Sequence, residues 1–246
     1  MEKKIRAILL TVLGFERYLS LVSDAYIRLV KLGFFKKKYP ELFYLKEIIK
    51  PGFVCVDLGA NVGYYSTFLS QYSQKTGHVH AIEPVELFAN IFKINTKEFA
   101  LDNITLYQTA LGSENKKIKM GTPMIDGVFR HGLTKVVTND EAENMHSYDV
   151  NMCIPDELFS SLTRFDFLKC DVEGYEVFIM PHFMKTIGKF KPLIQMEIST
   201  LENRRQMFDL FLPLGYSVYK LQYDSLQKMC EEEALNYESG DFYFAV

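Results

Sequence analysis

From residue 51 onward, short apolar runs alternate with stretches in which apolar residues recur every three or four positions. The runs at 53–57, 78–83, 105–110, 165–171 and 193–197 read as strands, and helical stretches open near Gly63, Val85, Pro155 and Tyr175. A further helix covers 201–212 until Pro213-Leu214-Gly215 stops it. Runs such as Phe53-Val54-Cys55-Val56 show no inside–outside alternation, which is what a parallel sheet covered by helices on both faces requires. The last two runs, 216–221 and 242–246, have no obvious helix between them and predict an antiparallel pair at one sheet edge. The pattern therefore predicts an α/β, doubly wound, mostly parallel sheet.

Two stretches depart from this rhythm. Residues 1–50 are helical throughout, with Leu9, Leu10, Leu13, Leu21, Val22, Ile27, Leu29 and Val30 at roughly helical spacing ahead of Lys36-Lys37-Lys38. They read as an N-terminal helical extension (1–50) on one larger domain (51–246). Residues 112–150 are polar, contain glycine and are long for a connection, which suggests a lid or binding loop. A short extra strand at 148–152 fits within it.

Composition changes the picture little. The chain has 246 residues, 48% of them hydrophobic and 24% charged, as in an ordinary globular protein. A net charge of −3 does not suggest a nucleic-acid binder. The charge is uneven, however: residues 1–38 hold nine Lys or Arg against three acids, leaving +6 there and −9 elsewhere. The apolar stretch 7–15 is too short to span a bilayer. Two readings of this segment stand: helices that pack on the domain and roof its site, or an amphipathic peripheral contact with an anionic membrane. Cys55 and Cys170 lie in apolar runs, Cys153 and Cys230 far apart, so the cysteines point to a reducing cytoplasm.

The chemistry concentrates at the ends of the strands. In Val54-Cys-Val-Asp57-Leu-Gly59-Ala60-Asn61-Val-Gly63, a buried strand turns sharply into a helix, which predicts exposed backbone N–H groups beside a carboxylate. A dinucleotide fingerprint needs a second glycine where this chain has Asn61, and Asp57 adds negative charge where a diphosphate wants none. Glu83, closing the next strand, can accept hydrogen bonds from both hydroxyls of a ribose. An adenosyl group with an amino-acid tail, a sulfonium and no phosphate fits all three observations, which describes S-adenosylmethionine. Leaving the fourth strand, Lys169-Cys-Asp171-Val-Glu173-Gly-Tyr-Glu176 brings two acids to the switch point of a doubly wound sheet, opposite Asp57. Such acids can hold a cation, position a metal or deprotonate a hydroxyl, while Glu176 reads as a helix cap. Lys169, inside an apolar strand, needs a carboxylate partner.

Together with Ala81-Ile-Glu83-Pro84, Ala110-Leu-Gly112 and Lys191-Pro-Leu-Ile-Gln-Met-Glu197, these motifs resemble the FkbM family of S-adenosylmethionine-dependent methyltransferases. The resemblance runs from about residue 53 to 221, and Leu168-Lys-Cys-Asp-Val-Glu-Gly-Tyr-Glu176 is its most specific part. It implies a seven-stranded class I methyltransferase-like sheet and methylation of a hydroxyl on a sugar, glycan or other small natural product. It also implies that Asp57, Gly59, Ala60, Asn61 and Gly63 cradle the methionine end. Glu83 would hold the ribose, Thr109 and Ala110 border adenine, and Asp171 lie near the transferred methyl. The family's usual T-L-D-D appears here as Cys153-Ile-Pro-Asp156, one acid short. The general base stays open among Asp171, Glu173 and His131, and a divalent metal is permitted but not demanded. An NAD-linked oxidoreductase, a nucleic-acid methyltransferase and a non-catalytic adaptor that keeps the fold are the alternatives. Oligomeric state is not readable.

Overall fold

The computed structural model describes residues 2–125, 128–238 and 240–246. The side chains of residues 2–8 and 128 lie outside that description, and with them the first basic groups of the 1–38 segment and the centre of the 112–150 stretch.

The central sheet is built from β1 (Val54–Leu58), β2 (His78–Ile82), β3 (Ile104–Tyr107), β4 (Phe167–Cys170), β5 (Leu193–Met196), β6 (Ser217–Gln222), β7 (Ser225–Lys228) and β8 (Phe242–Ala245). Their order is β7-β6-β8-β5-β4-β1-β2-β3. The five strands from β3 to β5 run parallel; β8 lies antiparallel to both β5 and β6. The order reverses between β1 and β4, which makes their carboxyl ends the topological switch point. The continuous apolar runs are explained by burial: β1 and β4 are almost wholly enclosed, between the Val56, Leu168 and Ile194 core on one face and the Cys55, Phe167 and Leu69 core on the other.

The sheet carries one strand more than the seven expected. β6 and β7 form a hairpin whose two central residues, Tyr223 and Asp224, have φ of 52° and 56°, the left-handed pair of a tight hairpin turn. The run expected at 105–110 is also divided: β3 stops at Tyr107, and Ala110–Leu111 joins a second sheet.

That second sheet is the main departure from expectation. The stretch 112–150 is not an open loop but folds as Lys116–Thr122, Lys135–Val137 and His146–Cys153, paired antiparallel, with Ala110–Leu111 at the edge. Ala110, Val150 and Met152 form its small core, with Ile118 and Tyr175 against them. The expected helices near Pro155 and Tyr175 are single turns, Pro155–Leu158 and Glu176–Ile179.

Helix α1 (Glu2–Lys31) is broken at Gly14, whose φ of 73° and ψ of 166° are non-helical. Leu19, Ser23, Ile27 and Val30 form its buried stripe. Ser23 Oγ accepts from Asn95 Nδ2 at 2.9 Å, tying α1 to α4 (Glu86–Phe99). Helix α2 (Pro40–Ile48) buries Leu42 and Leu45 against α3 (Tyr64–Ser73). Two later helices, α5 (Met184–Phe190) and α6 (Leu201–Phe211), complete the layers. No helix among the described residues is long and apolar enough to cross a membrane.

Candidate functional site

A cleft of about 370 Å³ opens over the carboxyl ends of β1, β2 and β4. Its lining includes Asp57, Gly59, Ala60, Asn61, Glu83, Ala110, His131, Asp171 and Glu173, so the structure brings most of the candidate residues to one place. Gly63 starts α3 just behind it, and Thr109 lies outside it. The Thr109 hydroxyl donates instead to Asn151 O at 3.0 Å, pinning the crossover to the second sheet.

The turn after β1 differs from expectation in one respect. Four of its amides are spent on the protein: Gly59 N and Ala60 N donate to Ile82 O at 3.2 and 2.9 Å, Asn61 N to Glu83 Oε2 at 2.9 Å, and Gly63 N to Ala60 O at 2.8 Å. A phosphate would find no cradle of free N–H groups in those four residues. Gly59 serves contact within the fold: a Cβ there would lie 1.9 Å from Asp171 O, and its φ is +80°. The missing second glycine is explained as well. Asn61 takes the left-handed conformation (φ 49°) that asparagine tolerates.

Glu83 is buried, with Oε1 accepting from Val85 N at 2.8 Å and Oε2 from Asn61 N. Each carboxylate oxygen keeps a lone pair for a further donor. Burial pushes this carboxyl up to about 7. Asp57 is also buried, accepts the Ser66 hydroxyl at 2.5 Å, and is raised by burial to about 6.

On the β4 side, Glu176 Oε1 accepts from Val172 N at 3.3 Å and Gly174 N at 3.2 Å, shaping the turn that carries Asp171 and Glu173. Glu173 sits at φ 54°, a strained conformation for a residue with a Cβ. Partial burial, then Asp171, Glu197 and Glu176, raise its carboxyl to about 7. Glu197, at the end of β5, is raised to about 7 by burial and the charges of Asp171 and Asp241.

Lys169 has the carboxylates its burial demands: Asp171 Oδ2 at 3.5 Å and Asp241 Oδ2 at 3.4 Å. Burial alone would lower the ammonium, but Asp241 and Asp171 outweigh it and hold it well above the ordinary lysine value. Gln195, its register partner on β5, donates to Asp241 Oδ2 at 2.6 Å. Sequence reasoning missed Asp241, because only the antiparallel return of β8 carries it from the far end of the chain to Lys169. Asp156, the acid retained from the family's T-L-D-D, accepts from Lys185 N and Thr186 N at 3.1 and 2.8 Å and caps α5.

His131 comes from the second-sheet excursion and clasps Asn61. Asn61 Nδ2 donates to His131 O at 3.3 Å, so Asn61 Oδ1 faces the imidazole as an acceptor and His131 Nδ1, 2.9 Å away, is the donor. Burial holds the ring neutral, at about 4.

The donor set fits S-adenosylmethionine. Carboxylates suit an ammonium and a sulfonium, Glu83 has acceptor positions for two hydroxyls, and Ile82, Ala110 and Phe88 supply apolar wall for a base. Among the described residues, no three His, Cys, Asp or Glu side chains come together as metal ligands.

Residues 57–231 match the model of the methyltransferase FkbM domain. A 55-residue stretch is 38% identical to protein-L-isoaspartate O-methyltransferase of Methanosarcina mazei, covering 22% of this chain and only 23% of that protein. The methyltransferase FkbM of Methylobacillus flagellatus KT aligns over 82% of this chain and 50% of its own, at 15% identity and a TM-score of 0.48. Fibrillarin of Aeropyrum pernix, solved with natively bound S-adenosyl-L-methionine, aligns over 81% and 68%, at 11% identity and a TM-score of 0.44. With its mostly parallel sheet and the glycine turn of β1 at the switch point, the chain belongs to the FkbM family of S-adenosylmethionine-dependent methyltransferases.

Proposed function

We propose that this protein moves a methyl group from S-adenosylmethionine to a hydroxyl oxygen of a sugar, glycan or other small natural product. The observation that carries the reading is the convergence of Asp57, Glu83 and Asp171 in one cleft beside a turn in which the amides of Gly59, Ala60, Asn61 and Gly63 are already spent. Such a site favours a cationic nucleoside over a diphosphate, which also argues against an NAD-linked oxidoreductase.

In this reading Glu83 accepts the two ribose hydroxyls while keeping its bonds to Asn61 and Val85. Asp57 and Asp171 place negative charge opposite the ammonium and sulfonium, and Ala110 forms part of the adenine wall. Bound there, the cofactor supplies a sulfonium-activated methyl carbon that an acceptor oxygen takes as the carbon–sulfur bond breaks.

Glu173 is the general base. Its carboxyl, raised to about 7 by burial and by Asp171, is ionised in a large fraction at neutral pH yet basic enough to take a hydroxyl proton. His131 is a positioning residue, since its Nδ1 proton is committed to Asn61 and burial makes the ring a weak base. It fixes the excursion over the glycine turn. The carboxylates at this turn supply a proton acceptor of the chain's own.

The test is incubation of the purified protein with methyl-labelled cofactor and a metabolite extract, followed by mass spectrometry. A labelled methyl ether in a small polyhydroxylated product is the expected result. Label recovered on nitrogen or on nucleic acid would overturn the choice of acceptor.

A further inference from the structure

Away from its buried stripe, α1 presents Leu21, Val22 and Leu29 to solvent, and the turn that follows adds Leu32 and Phe34. Leu32 is 74% exposed and Phe34 55%, although both are large apolar side chains. The turn is well formed. Gly33 N and Phe34 N donate to Val30 O and Leu29 O at 2.8 and 3.0 Å, Tyr39 N donates to Phe35 O at 3.0 Å, and Phe35 stacks on Tyr26 with ring centroids 5.6 Å apart. The apolar tips are therefore held outward by a built scaffold. Lys36 Nζ lies 3.3 Å from Asp224 Oδ2, which brings the β6–β7 hairpin beside this turn, and Tyr223 at its tip is 90% exposed. Lys31, Lys36, Lys37 and Lys38 adjoin the patch in the chain and are exposed.

We propose that this surface docks on an anionic lipid bilayer, with Leu32, Phe34 and Tyr223 entering the headgroup layer and the lysines meeting lipid charge. Charge complementarity selects this occupant. Residues 31–38 carry four lysines and no acid, +4, against −7 in the rest of the chain, so an anionic surface attracts this turn and repels the remainder, which favours one orientation. A second copy of the chain would set lysines against lysines across a twofold interface. A nucleic acid would use the lysines but leave Leu32 and Phe34 without a role. Tyr39 directly follows the lysines and lines the cleft, so the docking face adjoins the site. The proposal involves no step of methyl transfer and stands or falls independently of it.

The experiment is sedimentation of the full chain with vesicles of phosphatidylcholine alone and of phosphatidylcholine with phosphatidylserine, at low and high salt. The expected result is recovery with the anionic vesicles only, lost as salt rises. Lys31→Gln with Lys37→Gln should lower partitioning about 25-fold, roughly fivefold for each charge. Leu32→Ser with Phe34→Ser should lower it without moving the melting temperature, because both side chains are exposed. Equal recovery on neutral vesicles, or none on either, overturns the proposal. So does a concentration-dependent dimer that the Leu32→Ser, Phe34→Ser variant dissolves, which would assign the face to a second copy.

Discussion

Gly59 lies so close to Asp171 that a Cβ on the glycine would sit 1.9 Å from the aspartate's carbonyl oxygen. The two chemical motifs of the chain, far apart in sequence, are thus locked backbone to backbone at the switch point. Parallel pairing of Leu58 with Cys170 produces this contact. Any side chain at position 59 must either part β1 from β4 or distort the turn that carries Asp171 and Glu173.

Gly59→Ala is therefore expected to cost about 3 kcal/mol or more, from the overlap together with the left-handed φ. That corresponds to a drop of roughly 6–12 °C in melting temperature for a chain of this size. Cofactor affinity should fall with it. Gly188→Ala, in α5 with only Leu214 at 4.0 Å, should be neutral or slightly stabilising and serves as the control.

The buried carboxyls predict an unusual pH dependence for the free protein. Asp57 and Glu83 are raised by burial to about 6 and about 7, so the folded state binds their protons more tightly than the unfolded chain does. The stability they contribute is complete below the ordinary carboxylate range and is lost as pH rises through 6 to 7. Thermal denaturation without cofactor should show the melting temperature falling by about 5–10 °C between pH 5 and pH 7.5. Asp57→Asn should flatten part of that fall, and a cationic ligand should oppose it.

Lys169 is predicted to matter through its partners. Lys169→Met leaves the Asp171 and Asp241 carboxylates without the buried cation they share, which should destabilise the fold by about 3–5 kcal/mol. Adding Asp241→Asn to that variant should recover part of the loss. Additivity of the two changes in denaturant titrations would show that they do not share one network.

Glu173→Gln should lower kcat by about 10²- to 10⁴-fold and leave cofactor affinity within a few-fold of the parent. Because a base must be ionised to act, activity of the parent should rise with pH through about 7 and then level off, and the variant should lose that rising limb. His131→Gln should behave differently. It should loosen the clasp on Asn61 and weaken cofactor binding while keeping the limb.

The parallel strands and the residues on their ends were legible because buried strands must be written in uninterrupted apolar residues, and β1 and β4 are. The excursion at 112–150 was legible only in its strand at 148–152, which lies within His146–Cys153. Its strands lie largely at the surface, so in the first of them Lys116, Lys117 and Lys119 leave few apolar positions and the run reads as loop. The hairpin to β7 was hidden because Tyr223-Asp224 adopts a turn usually signalled by Asn-Gly. The glycine turn was placed correctly, but whether its amides were free depended on Ile82 O and Glu83, partners that only sheet register supplies. Lys169 announced that it needed an acid, and nothing local could say that Asp241 was one of the two.

The central claim is that the acidic cleft at the switch point receives S-adenosylmethionine, and titration calorimetry on the purified chain near pH 7.5 tests it most directly. The account predicts saturable heat with S-adenosylmethionine and none with NADH. It also predicts an affinity loss of about 100-fold or more in Glu83→Gln, which gives up charged hydrogen bonds to two hydroxyls. Tight binding of NADH with no heat from S-adenosylmethionine would contradict it.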